Sequence, residues 1–385
     1  MSIFWESAGL QIRLGDTLAE LRQMESESVQ MCVTSPPFYR LRDYGIAGQI
    51  GLEPTLAEYL TALVDVFLEV RRVLRRDGVC FIEMGDSYSG GGHGPGGKGD
   101  EHSQRMGSEN FRITTMGSKQ LLGVPWRLAF ALQDNGWILR RDIVWHKPNV
   151  IPESVKDRPT CSHTFIFLLA KSQRYYFDGE AIKEASTGQN GQAANFARDS
   201  KDDLVPGQWA TQHRLDREPT ANNGTRNCRD VWSIPTEPLA LGHFAAFPTE
   251  LARRCILAGT SERGCCPVCG KPWVRIAQAE TEAPPYRRGN KPETQHAYWG
   301  ESDTRTLGMV QVVNTLAWRP QCSHELKSPV PCTVLDPFSG AGTTLMVAHR
   351  LGRRAVGIEL NPDYCSMSRD RILADAPLLH AIERR

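Results

Sequence analysis

The amino-acid sequence predicts an α/β protein built on a doubly wound, mostly parallel sheet of seven strands. Short apolar segments of strand length alternate along the chain with segments whose apolar residues recur at helical spacing, as in strand–helix–strand units. A glycine-rich turn, residues 336–344, also follows a short apolar segment and precedes a helical one. That arrangement is typical of the nucleotide pocket of a doubly wound domain.

The first part of the chain predicts three strands and two helices. Residues 11–16 favour a strand, the residues that follow favour a helix, and residues 29–33 favour a second strand that ends just before Ser35. Residues 56–74 carry apolar side chains at helical spacing, and residues 79–84 favour a third, buried strand. The segment beginning at Ser35 is therefore expected at the carboxyl end of a strand.

The middle of the chain predicts a loop, a helix and two strands. Residues 87–99 are mostly glycine, whose backbone entropy disfavours regular structure, and polar residues extend this loop to about residue 117. Residues 121–132 favour a helix, and residues 137–145 and 164–169 favour strands.

Two segments interrupt the pattern before it is completed. Residues 185–245 are polar, and residues 261–331 are rich in Cys, Pro, Arg and Trp, so both are expected to be insertions. An amphipathic helix over residues 247–258 separates them. Residues 332–358 then return to strand, glycine turn, helix and strand.

Composition and charge describe an ordinary globular protein. The 385 residues are 40% hydrophobic and 23% charged, enough for one large core with added modules. Lys and Arg total 45 against 44 Asp and Glu, so any nucleic-acid footprint must come from local clustering. The apolar runs are too short to span a bilayer and no basic-then-apolar leader opens the sequence, so we expect a cytoplasmic protein without a membrane partner.

Ser35, Pro36, Pro37 and Phe38 form a turn suited to holding an amino group attached to an aromatic ring. Such an amine is a poor nucleophile because its lone pair is delocalised, and acceptors must hold its N–H bonds out of the ring plane. The Ser35 hydroxyl and a backbone carbonyl fixed by the prolines can accept these bonds, while Phe38 can stack on a flipped base. Taken alone, the segment is equally a simple proline turn at a strand end.

The glycine-rich turn and the acid after the next strand form the other half of the predicted site. The glycines let the backbone approach a cofactor, with the amides of the following helix behind them. Glu359 lies at the end of the next strand, where a carboxylate can accept both hydroxyls of a ribose. A surface glutamate after a core strand is the alternative interpretation.

Five sequence blocks resemble, in order, those of the β-class DNA amino methyltransferases, in which the amine loop precedes the cofactor loop. The blocks are residues 15–16, 34–39, 247–251, 336–344 and 357–364. The resemblance implies a Rossmann-like methyltransferase fold, S-adenosylmethionine as methyl donor and double-stranded DNA as substrate. It implies that Ser35, Pro36, Pro37 and Phe38 hold the target base. The implied cofactor-binding residues are Asp16, Phe247, Thr249, Asp336, Phe338, Ser339, Gly340, Gly342, Thr343, Glu359 and Asn361.

The resemblance also suggests which base is modified. Ser35 at the first position of the loop is similar to enzymes that methylate the N4 of cytosine, whereas enzymes acting on the N6 of adenine more often have aspartate there. We expect direct methyl transfer to cytosine N4 at a specific duplex site after base flipping, with adenine N6 as the alternative. Methylation at C5 is disfavoured because it needs a nucleophilic cysteine in the base loop. A DNA-binding protein that has lost catalysis is the non-enzymatic option.

The chain then divides into five expected parts. Residues 1–184 form a catalytic half with the amine loop, residues 185–245 a target-recognition insertion and residues 246–260 a cofactor-site helix. Residues 261–331 form an insertion like a zinc knuckle, and residues 332–385 the S-adenosylmethionine-binding half. The sequence leaves open whether a restriction endonuclease accompanies the protein.

Cys266 and Cys269 resemble a zinc knuckle, a turn whose two thiolates hold one side of a tetrahedral ion. Cys322 and His324 are the nearest pair that could complete the site, although they depart from the usual second Cys-x-x-Cys. Four protein ligands leave no position for water, so the expected Zn²⁺ is structural. Cys265 is a rival for Cys266, and a reduced, metal-free loop is the alternative.

Overall fold

The structure is an α/β fold in which strands and helices alternate along most of the chain. The computed structural model describes residues 3–89, 116–150, 152–185, 225–238, 247–282, 310–325 and 328–376. The strands are β1 Ile3–Ser7, β2 Leu10–Leu14, β3 Val29–Thr34, β4 Leu74–Met84, β5 Ile138–His146, β6 His163–Ala170, β7 Glu184–Ala185, β8 Thr225–Arg226, β9 Val231–Ser233, β10 Trp273–Glu282, β11 Val310–Pro320, β12 Thr333–Asp336 and β13 Arg354–Glu359. The α-helices are α1 Thr17–Arg22, α2 Leu56–Val73, α3 Val124–Asp134, α4 Thr249–Gly259, α5 Thr343–Arg350 and α6 Pro362–Asp375.

One large sheet organises the fold. Within the described residues it has nine strands in the order β1-β2-β13-β12-β3-β4-β6-β5-β9. Strands β2, β13, β12, β3 and β4 run parallel, whereas β6 is antiparallel to both of its neighbours and β1 is antiparallel to β2. The predicted mostly parallel α/β sheet is confirmed, and the seven predicted strands form its continuous middle.

The strands β12 and β13, which come last in the chain, lie in the middle of the sheet beside β3. Strand β12 lies between β13 and β3, with Val334 opposite Met31 and Leu335 opposite Cys32. The chain leaves β12 through α5 toward β13, and it leaves β3 through α2 toward β4, in the opposite direction along the sheet. Strand order therefore reverses between β12 and β3, and ligands of doubly wound sheets bind outside the carboxyl ends of the strands at such a point.

The helices form two layers that cover the sheet. Helices α1, α2 and α3 contact one another in series, and α4, α5 and α6 form a second series. Helix α2 buries Leu63, Phe67 and Val70 in the main apolar cluster. All six residues of β3 are buried, as expected for a central strand covered on both faces.

Two edge strands were not predicted. Strand β1 pairs with β2 across a two-residue turn in which Ala8 and Gly9 both have positive φ, the backbone of a type I′ hairpin. Strand β1 is short, and Ala8 stands in the turn at the position where asparagine or aspartate is usual. Strand β9 has three residues, which lie within the predicted polar insertion, and it pairs with β5.

Two element boundaries differ from the prediction by three residues or more. Helix α3 begins at Val124 instead of residue 121, because Gly123 has left-handed φ and Pro125 follows at the first turn. Strand β4 begins at Leu74 instead of residue 79. Leu74 pairs with Val29 and Val79 pairs with Met31, so residues 75–78 form an irregularity within the strand.

The chain divides into two units. One contains residues 1–181, 229–274 and 320–385, including the large sheet, and the other contains residues 182–228 and 275–319. Most of the predicted glycine-rich loop, most of the predicted polar insertion and residues 283–309 lie outside the described residues. Among the helices that the structure describes, none has the length and apolar character needed to cross a bilayer.

Candidate cofactor and amine-binding site

Five neighbouring parallel strands each bring one polar side chain to a single cavity. Asp16 follows β2, Glu359 ends β13, Asp336 ends β12, Ser35 follows β3, and Glu83 is the penultimate residue of β4. The cavity has a volume of about 610 Å³, within the range typical of ligand pockets. The proline turn and the glycine turn, far apart in the sequence, therefore line one cleft at the carboxyl edge of the sheet.

Most of the predicted site residues line this cleft. Those that do are Asp16, Ser35, Pro36, Pro37, Phe38, Phe247, Asp336, Phe338, Ser339, Gly340, Thr343, Glu359 and Asn361. Thr249 and Gly342 are not among its described lining residues. Thr249 is the first residue of α4 and hydrogen-bonds Glu237, which lines the cleft. Gly342 is the N-cap of α5 and lies between Ala341 and Thr343, which both line the cleft.

Asp336 connects the two turns. Its Oδ1 accepts a hydrogen bond from Thr34 Oγ1 and its Oδ2 accepts one from Thr344 Oγ1, both at 2.6 Å. The side chain is 2% exposed, and this burial raises the pKa of Asp336 to about 6. With both oxygens held by protein hydroxyls, Asp336 fixes the end of β3 against the start of α5.

Glu359 holds the glycine turn from the other side. Its Oε2 accepts the Gly340 N–H and its Oε1 accepts the Asn361 N–H, each at 2.8 Å. Burial raises the pKa of Glu359 as well. Each carboxylate oxygen can accept more than one hydrogen bond, so Glu359 retains capacity toward hydroxyl groups in the cleft.

The Ser35 hydroxyl has a carboxylate partner. Ser35 Oγ donates to Glu83 Oε2 at 2.6 Å, and Glu83 is 5% exposed. A serine hydroxyl has one proton, and once that proton is donated to Glu83 the oxygen faces any further ligand as an acceptor. This is the polarity that binding an amine N–H requires.

The rest of the proline turn is held from α2 and β4. Tyr59 Oη of α2 donates to the Pro37 carbonyl at 2.7 Å. The Phe38 ring lies over Gly85, where a Cβ would come within 2.6 Å of a ring carbon. Glycine at this position therefore allows the ring to lie close to the end of β4.

Phe247 and an acid that was not predicted, Glu237, reach the cleft beside the start of α4. Phe247, before the helix, is buried and lines the cleft. The Thr249 N–H and hydroxyl donate to the two carboxylate oxygens of Glu237, at 3.0 and 2.8 Å. Thr249 thus positions Glu237, which lines the cleft.

Sequence reasoning missed several residues of the cleft. Glu83 and Glu237 are the acidic ones, and Tyr44, Lys147 and Tyr364 are others. Glu83 could have been found, because it is an acid near the end of a predicted buried strand. Glu237 and Tyr44 lie in irregular segments that carry no periodic signal.

The predicted metal ligands also come together. The ligand atoms of Cys266, Cys269, Cys322 and His324 all lie within 4.8 Å of one another. We call these four residues the thiol–imidazole cluster.

The fold and the cleft together define a class of protein. A glycine turn followed by an acid at the next strand end suits a nucleotide-containing cofactor. The neighbouring proline turn offers acceptors and an aromatic face to a planar amine. Such a site serves group transfer to an amino nitrogen.

Comparison with known proteins identifies the particular family. Residues 29–266 and 328–370 match the DNA methylase family of the N6/N4 group. The chain is 37% identical over 366 residues to the type II methyltransferase M.SmaI of Serratia marcescens, covering 94% of this chain and 90% of that protein. It is 36% identical over 368 residues to the type II methyltransferase M.Cfr9I of Citrobacter freundii, covering 95% and 89%.

A solved structure agrees in fold. The PvuII DNA methyltransferase, described as cytosine-N4-specific, aligns with a TM-score of 0.51 at 14% identity, covering 96% of this chain and 92% of that chain. The chain belongs to the N6/N4 DNA methylase family, the S-adenosylmethionine-dependent methyltransferases that act on amino groups of DNA. The family resemblance seen in the sequence is confirmed.

Proposed function

We propose that this protein methylates the exocyclic N4 of a cytosine that is flipped out of a specific site in duplex DNA. The observation that carries the proposal is the Ser35–Glu83 hydrogen bond at the border of the cofactor cleft. It presents a hydroxyl oxygen as an acceptor beside the glycine turn, where an amine would meet a methyl donor. Base flipping is needed because an amino group inside a stacked duplex cannot enter this cleft.

The cofactor half of the cleft fits S-adenosylmethionine, which would supply a methyl group on a positively charged sulfur. Glu359 would accept the ribose hydroxyls, and the backbone around Gly340 would approach the cofactor closely. Phe247, Phe338 and Asp16 would enclose the adenine. Asp336, Thr249 and Gly342 would act through the residues they position.

The proline turn would hold the base. Ser35 Oγ and the Pro36 carbonyl would accept the two amine hydrogens, and the Phe38 ring would stack on the cytosine face. In the transfer the nitrogen–methyl bond forms as the sulfur–methyl bond breaks, and the amine becomes a cation. Ser35 would take one amine proton while passing its own to Glu83, from which the proton leaves to water.

Cytosine is favoured over adenine by Ser35, since the resemblance associates serine at this position with N4 methylation. Adenine N6 is the alternative because either amine offers two N–H bonds to the same acceptors. The relatives are type II methyltransferases, which supports a site-specific activity alongside a restriction endonuclease. The bacterial sources of the relatives support a cytoplasmic location for this activity.

Product analysis tests the proposal directly. Unmethylated DNA is incubated with the protein and S-adenosylmethionine carrying a deuterated methyl group, digested to nucleosides and analysed by mass spectrometry. We expect deuterated N4-methyldeoxycytidine. Labelled N6-methyldeoxyadenosine would assign the alternative base, and no labelled nucleoside with any DNA would reject catalysis.

A serine pair provides the matched variants. Ser35→Ala should lower turnover by roughly 100-fold or more while S-adenosylmethionine affinity changes little. Ser28→Ala removes a hydroxyl that donates to the Glu25 carbonyl in an exposed turn, so its activity should match the wild type. Equal activity of the two variants would contradict the role given to Ser35.

A further inference from the structure

The thiol–imidazole cluster lies at the opposite edge of the sheet from the cleft. Gly270, just after Cys269, accepts a hydrogen bond at its carbonyl from Gln30 Nε2 at 3.4 Å. Gln30 Oε1 in turn accepts the Thr333 N–H at 2.6 Å. Gln30 and Thr333 lie at the amino ends of β3 and β12, whereas the cleft lies at their carboxyl ends. The cluster is therefore separate from the methyl-transfer site.

The backbone of the first two ligands forms a tight turn. The Gly270 N–H donates to the Cys266 carbonyl and the Cys266 N–H donates to the Lys271 carbonyl, both at 2.8 Å. Gly270 has a φ of +65°, and a Cβ there would come within 2.9 Å of Arg75 Nη1. Glycine at position 270 thus permits both the turn and its close contact with the sheet.

The structure distinguishes the two adjacent cysteines. Cys265 pairs with Val330 through two backbone hydrogen bonds, and its Sγ donates to the Val330 carbonyl at 3.5 Å. Cys266 Sγ lies 3.8 Å from His324 Nδ1, within the cluster. Cys266 is therefore the ligand candidate, and Cys265 anchors the chain that leads into β12.

We propose that the thiol–imidazole cluster binds one Zn²⁺ that joins the two ends of the chain segment formed by residues 270–321. Three thiolates and one imidazole are the donor set that Zn²⁺ prefers, and four protein ligands complete its tetrahedral shell. With no position left for water or substrate, the ion stabilises the fold and takes no part in methyl transfer. Binding couples to folding because the two pairs of ligands come together only in the folded chain.

Metal content and matched cysteine variants test the proposal. The 385-residue protein purified under reducing conditions should contain one zinc per chain by mass spectrometry of the metal, and a mercurial that modifies thiols should release it. Cys269→Ser and Cys322→Ser should lower zinc affinity about tenfold or more. Cys161→Ser, which changes an exposed cysteine outside the cluster, should retain full zinc content.

Substitution of the histidine keeps the test decisive if a cysteine variant fails to fold. His324→Cys should retain one zinc per chain with four thiolate ligands, whereas His324→Ala should lose affinity. After cobalt replaces zinc, His324→Cys should show a stronger thiolate-to-metal charge-transfer band than the wild type. No zinc bound to reduced wild-type protein after zinc addition, or a disulfide within the cluster, would overturn the proposal.

A third measurement tests the structural role. Removing zinc should lower the midpoint of thermal unfolding while the S-adenosylmethionine dissociation constant changes less than about threefold, because the ion and the cleft lie at opposite strand ends. Loss of cofactor affinity without loss of thermal stability would contradict a structural ion. Metal content does not depend on methyl transfer, so the result is independent of the proposed function.

Discussion

Single buried residues join segments of the chain that are far apart in sequence. Asp336 accepts hydrogen bonds from Thr34 and Thr344, and Glu83 accepts one from Ser35. The turns themselves were predictable, because proline, glycine and serine at fixed positions have specific backbone and hydrogen-bonding roles. Their partners were not, because which acid faces Ser35 depends on which strand lies beside β3.

Glu83 provides a prediction for turnover. Glu83→Gln keeps an amide oxygen that can accept the Ser35 hydroxyl but cannot take up a proton. Turnover should fall by roughly 100- to 10,000-fold, the usual contribution of a proton acceptor, with S-adenosylmethionine affinity unchanged. Single-turnover kinetics and calorimetric titration measure the two quantities. Glu25→Gln, at an exposed position, is the control, and a Glu83→Gln variant that is equally active would show that Ser35 needs no proton acceptor.

Asp336 provides a prediction for stability against pH. Burial raises its pKa to about 6 in the folded protein, while an unfolded aspartate titrates near about 4. Between these values the folded state binds more protons, so this residue lowers the free energy of unfolding as pH rises from about 4 to 6, by roughly 2 to 3 kcal/mol. Asp336→Asn lacks this titration.

Urea unfolding of the wild type and Asp336→Asn at several pH values checks the sign. The stability of the wild type relative to the variant should decline through this window and level off above it. Parallel stability curves would mean that the pKa of Asp336 is the same in the folded and the unfolded protein.

At the scale of elements, the start of α5 sets how closely the second helix layer packs. Gly342 has a φ of +74°, and a Cβ there would overlap Ser368 Oγ of α6. The glycine therefore serves both the turn and the contact between α5 and α6. The glycine motif predicts the role of Gly342 in the turn. Its role in the contact with α6 was not predictable, because the sequence of α6 shows only weak amphipathic character.

Gly342 and Gly352 form a matched pair for testing this contact. Both have left-handed φ, near +70°, but a Cβ at Gly352 would meet nothing within 4 Å. Gly352→Ala should cost about 1 kcal/mol of unfolding free energy from backbone strain alone, whereas Gly342→Ala should cost roughly 2 to 5 kcal/mol. Urea unfolding compares the two, and equal losses would show that α6 moves away freely.

For the whole molecule, the segments that form strands were easier to predict than the order of those strands in the sheet. The seven central strands were found because their apolar runs have strand length and lie between helical segments. The reversal between β12 and β3 could be expected only from the family resemblance, since periodicity does not say which strands pair. Strand β9 has only three residues, and β1 lacks the Asn-Gly or Asp-Gly turn that usually marks a hairpin.

A circular permutant tests how far the fold depends on chain order. Helix α6 contacts β2, and Arg369 lies 5.9 Å from the centre of the Phe4 ring, so the two ends of the fold lie close together. A Gly/Ser linker from Arg385 to Met1, with new termini between Gly99 and Asp100, would place the glycine turn before the proline turn. We expect S-adenosylmethionine affinity within about threefold of the wild type.

The control for this permutant opens the chain within a buried helix. New termini between Asp65 and Val66, inside α2, should prevent folding. Failure of the first permutant to fold or to bind cofactor would indicate that the native chain order is itself required.

The position of β12 and β13 has a consequence for biosynthesis. These strands are translated after the other seven strands of the sheet, yet they fill its centre between β2 and β3. A nascent chain still on the ribosome therefore leaves two inner strand edges unpaired, and it lacks both the glycine turn and Glu359. The growing chain should be unable to methylate DNA until synthesis has passed β13. Chaperones that shield unpaired strand edges should raise the yield of folded protein.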